Sequence, residues 1–269
     1  MNYKICISTD KGIVKQVNQD ATMVKVASTS SYGRIAMGVL CDGMGGLSHG
    51  EVASATAIEG FAHWFVTELP RALTRENSTE RLDTVEKPDI TTEIERQWIS
   101  LVRDINANIL RYGDENRCRL GTTIVAFIEV AGDYLIMNVG DSRVYSVGEK
   151  KMTLLTHDQS VVQDMIDKGL MTEEEAEKSP QKSILLQCVG ASDVVVPQFV
   201  RGRVHAGTSI LMCSDGFWRK LSEEEIVDKL TKSRALSEEE MKKELDNMVE
   251  LLKKRGETDN ISAIHIAID

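Results

Sequence analysis

The sequence predicts an α+β fold, with two central antiparallel sheets flanked by helices on their outer faces. Four short apolar runs follow one another between residues 122 and 155, separated only by "AGD", "GDS" and "GEK". Such connections suit antiparallel meanders, because a parallel sheet needs long crossovers. Two helical patterns stand together before these runs and two more between the last two strands, an order that fits two sheets with helices packed outside them better than βαβ alternation. At 269 residues and 42% hydrophobic content the chain can bury a sizeable core.

Strand-like runs at residues 4–8, 22–27 and 34–41 open the chain. A helix follows in which Ile58, Phe61, Ala62, Phe65 and Leu69 share one face. Residues 71–92 are polar and charged, contain Pro88, and read as a surface loop. A second amphipathic helix carries Ile94, Trp98, Leu101, Val102, Ile105 and Ile109, with Gly113 as its expected stop. The meander predicts strands at 122–130, 134–139, 143–147 and 152–155. Residues 159–180 read as a helix running into an acidic stretch, "MTEEEAEKSPQKS". Strands return at 194–200, 209–213 and 261–268, with helices at 223–230 and 237–254 between the last two. Both patterns mix along the whole chain without internal repeats, so one domain over residues 1–269 is expected.

A net charge of −10 argues against a nucleic-acid binder, which carries a basic face. No run approaches membrane length, and residues 1–9 lack a secretory core and cleavage site, so a cytoplasmic protein is expected. Cys6, Cys41, Cys118, Cys188 and Cys213 are scattered and odd in number, which suits buried thiols in a reducing compartment. The five histidines show no ligand spacing.

Aspartates recur where apolar runs begin or end. Asp42 ends "RIAMGVLC", Asp215 ends "TSILMCS", Asp259 precedes "ISAIHIAI", and Asp20 precedes "ATMVKVA". In an antiparallel sheet the end of one strand lies beside the start of its neighbour, so four carboxylates could gather at one edge. Such anions repel strongly unless cations sit among them, and an all-oxygen set suits Mg²⁺ or Mn²⁺. The glycines of "VLCDGMGG" fit this picture. Backbone beside Asp42 must come close enough for the Gly43 carbonyl to act as a ligand, and side chains at 45 and 46 would crowd it. The alternative for each aspartate alone is a turn residue or helix cap.

Taken in order, "STDKGIVKQVNQDA", "DGMGGLSHGEVAS", "GTT", "NVGDSRVY", "LTHDQS", "LLQCVG", "CSDGFW" and "TDNIS" resemble the landmarks of one family over nearly the whole chain. It is the metal-dependent serine/threonine protein phosphatases of the protein phosphatase 2C (PPM) type, in their bacterial single-domain form. The resemblance implies a four-layer α-β-β-α sandwich with the metal site at one edge and a flap at about residues 164–183. It implies that Asp42 bridges two Mn²⁺ or Mg²⁺ ions, that the Gly43 carbonyl binds one and that Asp215 and Asp259 bind the other. Asp20 would hold water in the outer shell, and a weaker third ion would sit near Asp141, shared with Asp215. Asn260 would support Asp259, and Gly50, Glu51, Ala53 and Ser54 would let a helix lie flat on the sheet.

The implied reaction is hydrolysis of phosphoserine and phosphothreonine in proteins by a metal-bridging hydroxide, opposing a bacterial Ser/Thr kinase. No phosphoenzyme is needed, and Cys41 and Cys213 are read as core residues. A monomer is the default. Three positions depart from the pattern: Lys15 where the family has a phosphate-gripping arginine, Met44 where eukaryotic members have histidine, and Ser179 before the flap's Pro180. Lysine keeps the charge but not the bidentate fork. Two alternatives stand beside the phosphatase: a non-catalytic signalling module of the same fold, which would lack the carboxylates, and another two-metal phosphohydrolase such as a nuclease, which would carry a basic track.

Overall fold

The computed structural model describes residues 1–44, 49–75 and 89–269, with the backbone alone at residue 75. Among the described residues ten strands form two antiparallel sheets. β1 (Tyr3–Asp10), β10 (Ile261–Ile268), β9 (Thr208–Cys213), β6 (Arg143–Val147) and β7 (Met152–Leu154) make the first, in that order. β2 (Ala21–Thr29), β3 (Gly33–Cys41), β4 (Ile124–Val130), β5 (Asp133–Val139) and β8 (Gln198–Arg203) make the second. The long helices α1 (Gly50–Arg75) and α2 (Ile90–Asn116) cover the second sheet. Helices α6 (Glu223–Ser233) and α7 (Glu238–Lys254) cover the first. The short α3 (Val161–Asp167), α4 (Glu173–Lys178) and α5 (Asp215–Trp218) lie in the connections.

Strand alternation explains the layering. On β3, Ile35, Met37, Val39 and Cys41 pack under α1 and α2, while Ala36 and Leu40 pack between the sheets. On β10, Ile264, Ile266 and Ile268 join that middle layer, while Ala263 and Ala267 face α6 and α7. Three apolar layers between four layers of structure result, the expected α-β-β-α sandwich. The outer core is anchored by Trp98, whose ring meets Phe61 and Trp64 edge-on at 5.4 and 5.5 Å.

Several boundaries differ from expectation. α2 runs through Gly113 and stops at Asn116, where Arg117 takes a left-handed φ of 53°. One glycine costs a helix about 1 kcal/mol, which the buried face of α2 outweighs. The helix expected over 159–180 is two short ones, broken at Gly169 (φ 68°) and restarted by a capping box at Thr172. The strand expected over 194–200 begins at Gln198, because Pro197 cannot donate to the ladder. Thr122 bridges Gly43 and Val189 instead of joining β4. The loop expected over 71–92 loses residues to α1 and α2, and its residues 76–88 lie outside the described ones.

Candidate functional site

Strand pairing brings five aspartates to one end of both sheets. Ala21 pairs with Cys41, so Asp20, just before β2, stands beside Asp42, just after β3. In the first sheet Cys213 pairs with Ala263, and a 3.0 Å bond from the Ser214 N–H to the Ser262 carbonyl carries the ladder on toward Asp215 and Asp259. Asp141 lies between β5 and β6, and the pairing of Arg143 with Cys213 brings it to Asp215.

The five groups feel one another. Burial first, then the charges of Asp20, Asp215, Asp141 and Asp259, hold the Asp42 carboxyl well above the ordinary carboxylate range. Burial pushes Asp20 up to about 7; Asp215 and Asp259 add to this, and hydrogen bonds from Ser262 and Ser214 oppose it. Asp141 is likewise pushed up to about 7 by burial and Asp215, against Arg219. Asp215 is raised by burial, against Arg219 and with Asp259 adding. Asp20 and Asp215 each keep one buried Oδ1 with no hydrogen-bond partner.

The backbone around Asp42 is clamped. Its N–H donates to Thr123 Oγ1 at 3.0 Å, and its carbonyl accepts from Thr122 Oγ1 at 3.0 Å and the Thr123 N–H at 2.9 Å. Thr123 Oγ1 in turn meets Ser142 Oγ at 2.8 Å, tying "GTT" to "GDS". Gly43 donates to the Gln19 carbonyl, and a Cβ there would stand 2.5 Å from the carbonyl oxygens of Gln19 and Gly50. Only glycine fits. Gly45 and Gly46, to which the sequence attaches the same argument, lie outside the described residues. Ser54 Oγ donates to the Gln19 carbonyl at 2.6 Å, and Ala53 is fully buried, so the first turn of α1 packs closely against the segment that enters β2.

Other residues differ from their expected parts. The Asn260 backbone N–H donates to Asp259 Oδ1 at 2.9 Å, but its side chain braces the 11–19 loop. Its amide donates to the carbonyls of Lys11 and Val17, and its Oδ1 accepts from the Gln19 N–H at 2.9 Å. Lys15, expected at the rim to meet a phosphate, puts its Nζ 2.9 Å from Asp259 Oδ1. Cys41 and Cys213 are fully buried on the helix-facing sides of their strands, and burial pushes both thiols up, so neither is poised as a nucleophile.

Sequence reasoning missed four residues. Ser214 Oγ donates to Asp20 at 3.0 Å, linking the two sheets across the site. Thr123 holds the Asp42 peptide. Glu257 accepts the N–H groups of Thr258 and Asp259 at 2.8 and 3.0 Å. Arg219 pairs with Asp215 at 2.7 Å and reaches Asp141 at 3.6 Å. Its four-residue spacing from Asp215 was the available signal, hidden because a helix as short as α5 leaves no periodicity.

Among the described residues no three acidic, histidine or cysteine side chains already converge as a metal cage; the carboxylates turn onto Lys15, Arg219 and Ser214. The donor chemistry nonetheless fits divalent cations. The oxygens are hard, two are buried without partners, and burial, with neighbouring carboxylates adding to it, holds Asp20 and Asp42 above the ordinary carboxylate range. At α3, a cleft of about 240 Å³ is lined by His157, Asp158, Ser160, Asp164, Asp167 and Gln198 and includes none of Asp20, Asp42, Asp141, Asp215 and Asp259.

Comparison with known proteins agrees with this geometry. The family profile described as Protein phosphatase 2C matches residues 11–250. Protein phosphatase PhpP of Streptococcus pneumoniae is 28% identical over 269 residues, covering 99% of this chain and 98% of its own. The crystal structure of the serine/threonine phosphatase Stp1 from Staphylococcus aureus superposes with a TM-score of 0.78 at 27% identity, covering 100% of this chain and 96% of that one. The catalytic domain of the phosphatase PstP, solved in complex with two manganese ions, shares the fold at a TM-score of 0.71 and 24% identity, over 99% of each chain.

Proposed function

Because the chain belongs to the protein phosphatase 2C family and is a serine/threonine protein phosphatase, we propose that the gathered aspartates are its hydrolytic centre and hold two Mn²⁺ or Mg²⁺ ions. The observation that carries this reading is the convergence of buried, mutually raised carboxylates from both sheets. Asp42 and the Gly43 carbonyl would hold one ion and Asp42, Asp215 and Asp259 the other, with Asp20 in the outer shell. When bound, such ions neutralise phosphate oxygens and activate water for in-line attack. Asp141 and Asp215, where the resemblance implies a weaker third ion, share the Arg219 guanidinium.

The chain's own residues have definable tasks. Thr122 and Thr123 hold the Asp42 peptide so that its carboxylate points from a rigid backbone. Ser214 fixes Asp20, and the Asn260 amide holds the loop carrying Lys15. Lys15, whose ammonium already lies on Asp259, would attract the phosphate dianion as a point charge. With both flanking thiols buried, hydrolysis proceeds without a covalent cysteine intermediate.

This reading takes residues 1–269 as a single catalytic domain with a flap at about 164–183, acting as a cytoplasmic monomer on phosphoproteins made by an opposing Ser/Thr kinase. No helix among the described residues is long and apolar enough to cross a membrane. The net charge of −10 disfavours nucleic acid as substrate. The test is a phosphothreonine-peptide assay with Mn²⁺, with excess EDTA, and with single-stranded DNA as a parallel substrate. Peptide hydrolysis that needs Mn²⁺ is expected; full activity in EDTA would overturn the two-ion centre.

A further inference from the structure

We infer that Arg219 is a built-in cation that fills the place between Asp141 and Asp215, so that this phosphatase binds two metal ions and excludes the third. The two ends of the guanidinium fork are divided between the carboxylates, with NH1 2.7 Å from Asp215 Oδ2 and NH2 3.6 Å from Asp141 Oδ2. A divalent ion shared by these oxygens would need to sit about 2.1 Å from each, in space the fork occupies. The arrangement is buried: the Asp141 and Asp215 side chains are 9% and 11% exposed and that of Arg219 is 22%.

Arg219 is also held from behind. Its N–H donates to the Asp215 carbonyl at 3.2 Å, which sets the one-turn spacing between charge and countercharge. Its guanidinium lies 5.6 Å from the Trp218 ring centre, and Arg143 lies 3.4 Å over the same ring. Asp158 fixes Arg143 with bonds of 3.0 Å to Nε and 2.8 Å to NH2. Lys15 differs in each respect. Its ion pair with Asp259 is more exposed, at 31% and 40%, and ends a flexible stem on a loop, so it can give way to an incoming ion. Asp215 meanwhile keeps its unpartnered Oδ1, so its pairing with Arg219 through Oδ2 leaves an oxygen for the two-ion centre.

The inference rests on the two-ion reading above, and one titration separates the two. Mn²⁺ binding to the intact chain is followed by calorimetry and by electron paramagnetic resonance, up to about 10 mM free ion. The parent and Asp141→Asn should each bind two ions. Arg219→Gln should gain a third, weaker ion, lost again in Arg219→Gln/Asp141→Asn, while Arg219→Lys stays at two. A parent that binds three ions, one of them lost in Asp141→Asn, overturns the Arg219 assignment but leaves the two-ion centre standing. A folded Arg219→Gln that still binds two overturns it as well. If Arg219→Gln does not fold by circular dichroism, the parent and Asp141→Asn counts decide. A parent that binds no Mn²⁺ overturns both readings.

Discussion

At Asp42 the proposed chemistry and the stability of the fold pull in opposite directions. Its carboxyl is raised by burial and by the charges of Asp20, Asp215, Asp141 and Asp259, and no cation is among the causes of its shift. Asp42→Asn should therefore cut phosphatase activity by orders of magnitude while leaving the metal-free protein as stable as the parent or more so at pH 8. Each kcal/mol of relief is worth about 2–4 °C in a chain of this size. Thermal melts in EDTA beside a Mn²⁺ activity assay check both signs; a large drop in the melting temperature would mean that Asp42 is structural. Lys15 makes the complementary case. Removing its charge in Lys15→Ala should raise KM roughly ten-fold, about 1.4 kcal/mol, with a smaller change in kcat. Lys15→Arg should match or improve on the parent, because the fork adds a second hydrogen bond. If Lys15→Ala shows an unchanged KM on one phosphopeptide at saturating Mn²⁺, the lysine serves Asp259 alone.

At the scale of elements, the site depends on segments that are braced rather than merely adjacent. The Asn260 side chain makes three hydrogen bonds to the 11–19 loop, and that loop leads straight into Asp20. Asn260→Ala leaves these backbone groups without partners and should cost about 2–3 kcal/mol, with activity falling alongside. Urea denaturation measures it; a loss below about 0.5 kcal/mol would show that the loop is held by other contacts. The helical layer offers a control far from the chemistry. Trp98, fully buried and packed edge-on against Phe61 and Trp64, should cost about 3–5 kcal/mol when cut to alanine. A parallel loss of kcat at full Mn²⁺ occupancy in the fraction that remains folded would mean that the helical layer transmits to the site. Element boundaries were the least legible part of the sequence: α2 passes through Gly113 because its buried face outweighs a local stop signal, and α5 is too short to leave a pattern.

For the whole molecule, the aspartate cluster sets a pH dependence. Asp20 and Asp141 are raised from the ordinary 3.8 to about 7, and Asp42 and Asp215 are raised as well. The folded state thus binds more protons than the unfolded chain between about pH 4 and pH 7. Their contribution to stability is fully present below the unfolded value and is lost as pH rises through the folded one. Metal-free protein should therefore lose thermal stability from pH 5 to pH 7.5. Buried His265, pushed from 6.5 down to about 3, works the other way, because only the unfolded chain protonates it at pH 5, and this single group offsets part of the carboxylates' loss; Glu225, lowered to about 2, titrates below the window. Millimolar Mn²⁺ should restore the loss at pH 7.5 and do little at pH 5, where protons compete for the same oxygens. Melting curves across this range with EDTA and with Mn²⁺ provide the check, and a Mn²⁺ stabilisation no larger at pH 7.5 than at pH 5 would mean that burial and neighbouring charge do not raise these carboxyls.

The sequence by itself determined the sandwich and the membership of its metal-site candidates. Period-two and helical patterns depend on each segment's own side chains, and aspartates at strand ends stay at strand ends in any antiparallel pairing. It also marked Gly43, because a glycine tight against an acidic strand end signals backbone contact. What it could not decide is which partner each charged group takes. Lys15 on Asp259, Ser214 on Asp20, the Asn260 amide on the 11–19 loop, and Arg219 between Asp141 and Asp215 join segments up to 249 residues apart or lie at the end of a four-residue helix. Those pairings exist only once strands distant in sequence have paired and the sheets have packed, because tertiary packing fixes which side chains share a low-dielectric space.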